Sequence, residues 1–151
     1  MKKVIGMLVL LFTVALTCSG TFSPDEEMAL AKSVLDKYEY NVNGGRYEDW
    51  YASLSDELQK LISDKAFLMK EARVNPILAY MEINLITPKD YFTYVVRFER
   101  EDGRYVMEGY MLDTKHMELV ILGKQKGHFK RKTFVFIYQR ERWLLKEVED
   151  T

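Results

Sequence analysis

Four carboxylates, Glu82, Glu99, Glu108 and Glu118, lie in stretches that read as β-strand. They are the side chains whose type could do chemistry. A carboxylate base that meets one or two acidic hydrogen-bond donors in an apolar interior is the arrangement an isomerase or dehydratase needs. Strand register decides which of the four qualify. Residues 91–100, Tyr-Phe-Thr-Tyr-Val-Val-Arg-Phe-Glu-Arg, alternate, and Asp102-Gly103 is a strong short-range hairpin signal. With those two residues as the loop, Phe98 opposes Met107, Val96 opposes Gly109 and Tyr94 opposes Met111 on an apolar face. Arg97 opposes Glu108, Glu99 opposes Val106 and Val95 opposes Tyr110 on the other face. Glu99 and Glu108 therefore belong to the outward face with its cross-strand charge pair. Glu82 and Tyr94 remain able to turn inward, a pairing that arises easily by chance. His116 and His128 lack a metal-ligand or triad partner at useful spacing and sit in turn-like stretches, where solvated imidazoles are expected. No Gly-rich phosphate loop or zinc pattern exists. The expectation is a protein without a catalytic set, metal or cofactor, one that binds.

The elements that must position these groups form an antiparallel run over the C-terminal third. Burial of the Phe92/Phe98 face should hold the first hairpin in register, because a one-residue slip would turn that face to water. Gly109 in mid-strand suggests a bend, a bulge or a close approach by a helix. Residues 117–122 and 133–138 read as further strands, joined by a basic, glycine-containing loop from Gly123 to Lys132. A last hairpin turns near Arg140-Glu141 into residues 143–148, with no Gly or Asn to mark it. These strands are apolar on both faces. Either the sheet curves strongly and its own chain covers the second face, or that face is a homodimer interface. Lys124, Lys126, Lys130, Arg131 and Lys132 on one loop, with Arg140 and Arg142 on a turn, read as solvated charge, with anionic headgroups or a cell-wall polymer as the alternative partner.

The N-terminus is an address. Met1-Lys2-Lys3 precedes an apolar run from Val4 to Leu16, about 13 residues against the roughly 20 that span a bilayer. Ala15-Leu16-Thr17-Cys18-Ser19-Gly20 resembles a bacterial lipoprotein signal, with Thr17 where Gly, Ala or Ser is usual. The resemblance implies removal of residues 1–17, lipidation of Cys18, a short linker over 18–23 and a domain over 24–151 anchored to a membrane outside the cytoplasm. Cleavage by ordinary signal peptidase near Ser19-Gly20 stays open and would leave a secreted or periplasmic protein. Cys18 is the single cysteine, so the domain stands without a disulfide. With 22 Lys+Arg against 23 Asp+Glu, the charge balance argues against a nucleic-acid binder.

Before the strands come amphipathic helices. Ser23-Pro24-Asp25-Glu26 is a capping box with Pro at the first helical position. Leu30, Ala31, Val34, Leu35 and Tyr38 then form one stripe, and Asn43-Gly44-Gly45 ends it. Tyr47, Trp50, Tyr51 and Leu54 repeat at helical spacing. Ser55 opens a short helix, and Ser63 opens a third, which Asn75-Pro76 closes. Residues 77–86 read either as a last turn of helix or as a first strand, and 80–85 fit a strand slightly better. Tyr38, Trp50, Tyr51, Phe67, Tyr94, Phe98, Phe136, Tyr138 and Trp143 are the candidate lining for a small apolar ligand; ordinary core is the other use for such side chains.

A long first helix, a Gly-rich break, the stretch Tyr-Glu-Asp-Trp-Tyr-Ala-Ser-Leu-Ser-Asp-Glu-Leu-Gln and a meander ending Arg-Trp-Leu-Leu-Lys-Glu-Val resemble the nuclear-transport-factor-2-like (cystatin-like, ketosteroid-isomerase-like) superfamily. The likeness covers residues 24–149. It implies an α+β fold in which a curved antiparallel sheet wraps the N-terminal helices into a cone. It also implies a pocket at the mouth and dimers through the sheet. The expected function is a non-catalytic binding domain of the cell envelope, acting on an unknown envelope protein or a small apolar ligand. An isomerase-type enzyme is the alternative.

Overall fold

Helix α1 (Pro24–Asn43) opens the region that the computed structural model describes, residues 22–151. The signal segment and Cys18 lie outside the described residues. Ser23 Oγ accepts from Glu26 N–H and Glu26 returns a bond to Ser23 N–H, so the capping box forms as the residue types require. Short helices follow: α2 (Tyr47–Ala52), α3 (Asp56–Ser63), α4 (Lys65–Val74) and α5 (Pro76–Tyr80). Ser55 caps α3 and Asp64, one residue past the expected Ser63, caps α4. Four strands make one antiparallel meander of order β1-β2-β3-β4: β1 (Tyr105–Asp113), β2 (Glu118–Gln125), β3 (Arg131–Gln139) and β4 (Arg142–Asp150). The fold is α+β, helices first, with an open sheet.

Two expected strands do not form, and one of them is helical instead. Residues 91–100 continue α6 (Pro88–Tyr91) as a π-helical segment (Phe92–Arg97) and a 3-10 turn (Phe98–Arg100). The cause is local: Thr87 caps α6 in a second capping box, with Pro88 at the first position and Asp90 bonding back to Thr87 N–H. The chain enters the apolar run already helical. Phe92, Val95, Val96 and Arg100 then point inward at helical spacing, while Tyr94 and Phe98 are 41% and 39% exposed. The expected hairpin register of Phe98 on Met107 is therefore absent, and β1 pairs with β2 alone. Gly103, at φ +129°, turns the chain out of the helical segment into β1 rather than closing a hairpin. Residues 80–85 are not a strand either: Asn75 Oδ1 caps α5, which ends in a turn with Glu82 at φ +55°.

The core lies between α1 and the sheet. Ala31, Leu35, Tyr38 and Val42 pack on Leu119, Ile121, Phe134 and Phe136, with Trp50 and Phe92 closing one end. Gly123 is required there, because a Cβ at that position would stand 2.7 Å from the Phe134 ring. β1 is irregular between Met107 and Gly109, the bulge that a mid-strand glycine suggests. A smaller cluster of Leu68, Ala72, Leu78 and Leu85 joins α4 and α5 to the π-helical segment. On the outward face, Met111, Val120 and Val135 stand in register, next to Leu122 and Ile137. Met111 is 63% exposed and the other four are half-buried.

Candidate functional site

One trough of about 690 Å³ stands out among the described residues. One wall is the face of α1 that carries Leu30, Ser33, Val34, Lys37 and Asn41. At 1.5 Å of rise per residue this stripe runs about 17 Å. Asp49, Ala52 and Ser53 from α2 and its end form a second wall. The β3–β4 hairpin supplies Phe136, Tyr138, Trp143 and Leu144, and Phe22 stands beside the start of α1. The opening exists because Ser53 and Ser55 hydrogen-bond to Leu145 of β4 at 2.8 and 2.7 Å, which fixes α2 against the hairpin while α1 lies across it. Lys37, Asp49, Glu141 and Arg142 stand exposed at the rim.

Of the nine aromatic residues expected to line a pocket, Tyr38, Phe136, Tyr138 and Trp143 border this trough. The other five lie elsewhere. Trp50 is in the core behind Tyr38, and its indole Nε1 donates to the Tyr38 hydroxyl at 3.2 Å. Tyr51 packs on Tyr47 and shares a hydrogen bond with Ser63 Oγ. Phe67 packs on Tyr91. Tyr94 and Phe98 line a second, smaller hollow of about 310 Å³ together with Ile77 and Met81.

Polar side chains enter the trough wall from α1, as Ser33 and Asn41, and from the end of α2, as Ser53. Asn41 is 6% exposed, and its side-chain amide has no hydrogen-bond partner among the described residues. The Tyr38 oxygen accepts from Trp50, and its own proton has no acceptor there. Burial pushes the Tyr38 hydroxyl up to about 12, against the opposing pull of Arg100, so it is a neutral donor at ordinary pH.

None of the four expected carboxylates reaches the trough. Glu82 is exposed on its turn. Glu99 pairs with Lys132 at 2.7 Å and with Arg100 at 3.2 Å. Glu108 forms a two-bond pair with Arg131, in place of the expected Arg97, and Glu118 pairs with Lys146. His116 bonds Asp113 at 2.6 Å on the surface, which raises the imidazole above its usual range, and His128 is exposed in the β2–β3 loop. No cluster of His, Cys, Asp or Glu among the described residues could hold a metal.

The buried carboxylate is one that strand patterning passed over. Glu39, on α1 and 2% exposed, accepts from Arg100 Nη2 at 2.7 Å, from Arg100 Nε at 3.2 Å and from Tyr105 N–H at 3.0 Å. Burial works against the Arg100 charge, yet Glu39, with smaller help from Tyr38 and Glu99, holds it above its ordinary value. The set ties α1, the 3-10 turn and β1 together. Its signal in the sequence is Glu39 standing between Leu35 and Val42 on the inner stripe of α1.

Comparisons with protein-family models, with curated proteins and with solved structures found no match.

Proposed function

We propose that the protein is an exported, lipid-anchored binding domain of a bacterial cell envelope, which takes an apolar ligand in the trough between α1, α2 and the β3–β4 hairpin. The observation that carries this reading is the trough itself. It is mostly apolar, carries a few polar side chains, and its volume is in the range of small-molecule sites. None of the four strand carboxylates lies in its wall, and Asp49 and Glu141 are exposed at its rim rather than set in its apolar interior. That favours binding over the isomerase-type alternative. The address rests on Lys2, Lys3, the run from Val4 to Leu16 and Cys18. Helix-first order and an antiparallel meander support a nuclear-transport-factor-2-like cone, with the trough at its mouth.

Two measurements test the two parts. Radiolabelled palmitate should enter the wild-type protein in cells and be absent from Cys18→Ala; a mature chain beginning at Gly20 or later removes the anchor. Titration with the neutral fluorophore N-phenyl-1-naphthylamine should quench Trp143 by energy transfer. Ser33→Trp, which lays an indole across the trough, should abolish that binding with the helical circular-dichroism signal unchanged. Equal binding by wild type and Ser33→Trp ends the trough reading.

A second reading has its own observation. The outward row Met111–Val120–Val135 lies on the side of the sheet away from α1, and an apolar row of that kind suits pairing with a second copy.

A further inference from the structure

Phe129 takes no part in the core. It is 91% exposed, more than any other large apolar side chain among the described residues. It stands in the loop between β2 and β3, where Gly127 turns the chain at φ +84°. The Lys124 ammonium lies 6.0 Å from its ring centroid, the outer limit of a cation–π contact, so little holds the ring down. The base of the loop is fixed all the same. Gln125, 2% exposed, donates through Nε2 to Glu99 O at 2.7 Å and to Gly103 O at 2.9 Å. Its own N–H donates to Lys130 O at 2.9 Å. A bare ring on a fixed base loses little freedom when it enters another phase.

Cations surround that ring. Lys126 and Lys130 are exposed on either side of it, and Lys126 N–H bonds to the carbonyl of Arg104, which is exposed as well. Lys124, Lys126 and Arg104 have no carboxylate at ion-pair distance among the described residues. Lys130 stands 3.4 Å from Glu99, which Arg100 and Lys132 already occupy. Exposed Glu101 and Asp102 in the adjoining turn offset only part of this charge. An anionic polymer in water would use the cations and leave the ring idle. A bilayer uses both: an aromatic ring enters the headgroup boundary while ammonium groups meet lipid phosphates.

We infer that the β2–β3 loop docks on an anionic lipid bilayer, with Phe129 in the headgroup boundary and Lys124, Lys126 and Lys130 against lipid phosphates. The contact is separate from an anchor at Cys18. Glu39, near the C-terminal end of α1, bonds to Tyr105 at this end of the sheet, whereas Phe22 stands at the other end of a helix about 30 Å long. Where Cys18 is lipidated, anchor and loop together lay α1 along the bilayer.

The full chain carrying Phe129→Trp is compared with the wild type, whose Trp50 and Trp143 supply the background, so the difference in emission reports position 129. With vesicles of phosphatidylcholine and phosphatidylglycerol that difference should shift to the blue and be quenched by brominated lipid. With phosphatidylcholine alone it should do neither. Lys126→Gln and Lys130→Gln should each weaken the response about fivefold. Raising salt from about 0.1 M to about 1 M shortens the Debye length from about 10 Å to about 3 Å and should abolish it. A water-like signal on anionic vesicles, with the helical circular-dichroism signal intact, overturns the docking. So does an equal response on phosphatidylcholine alone. The same blue shift with soluble dextran sulfate, without lipid, assigns the loop to an anionic polymer and overturns the bilayer. None of these outcomes bears on ligand binding in the trough or on palmitate at Cys18, which have their own tests.

Discussion

At the residue scale the molecule depends on one buried charge pair and on a few buried hydroxyls. Glu39 and Arg100 are both nearly inaccessible and satisfy each other and Tyr105 N–H. Removing one partner leaves a desolvated charge, so Glu39→Gln or Arg100→Met should each lose about 3–5 kcal/mol in urea unfolding. The double variant Glu39→Leu with Arg100→Met should lose less than the sum of the two single changes, since an apolar pair of similar volume is often neutral. Strictly additive losses would show that the two groups are not coupled. Tyr38 adds a pH dependence. Its folded value of about 12 lies above the ordinary 10.0, so it contributes stability that is complete below pH 10 and is lost as pH climbs through about 12. The size is about 3 kcal/mol. Burial pushes Tyr91 and Tyr105 in the same direction. Thermal unfolding should therefore collapse above pH 10, with a shallower slope in Tyr38→Phe; identical slopes would exclude Tyr38 as a source.

At the element scale, local chemistry outweighed alternation. Residues 91–100 satisfy a period of two and a helical period at once, because Phe92, Val95, Val96 and Arg100 fall at helical spacing within an alternating string. Thr87-Pro88-Lys89-Asp90 decides between them, and its capping box was legible as a helix start just ahead of the run. The helices over 24–43, 56–63 and 65–74 were legible because caps and apolar periodicity agree there, and the helix over 47–52 and the three strands after residue 117 from their apolar pattern alone. The β3–β4 turn was harder. Arg140 and Glu141 both sit at positive φ, +52° and +61°, in a two-residue loop that normally carries Asn-Gly. An exposed ion pair from Arg140 to Asp56 is weak compensation. Arg140→Asn combined with Glu141→Gly should therefore raise stability by about 1 kcal/mol, read as a higher melting temperature. A lower melting temperature would mean that the Asp56 contact matters more than the backbone strain.

At the scale of the whole molecule, the sheet has one face under α1 and one row of apolar side chains turned away from it. If that row pairs two copies, light scattering of the full chain should give twice the monomer mass, and Val120→Asp should return it to a monomer with the fold intact. A monomer at high concentration in the wild type removes this reading and leaves the trough unaffected.

What the sequence by itself determined is what short-range rules govern: the caps that begin α1 and α3, an irregularity at Gly109, the three later strands and the α+β order. Each of these depends on residues within a few positions of one another, so one sequence suffices to set them. The trough and the Glu39–Arg100 pair were decided only by tertiary structure. They join residues 61 positions apart in the ion pair, and three separate elements in the trough. Where a long-range contact places a side chain depends on how whole faces pack, and no local spacing encodes that. Asn41 shows the difference plainly: in the sequence it is one more polar residue near a helix end, and in the fold it is a buried amide facing a cavity.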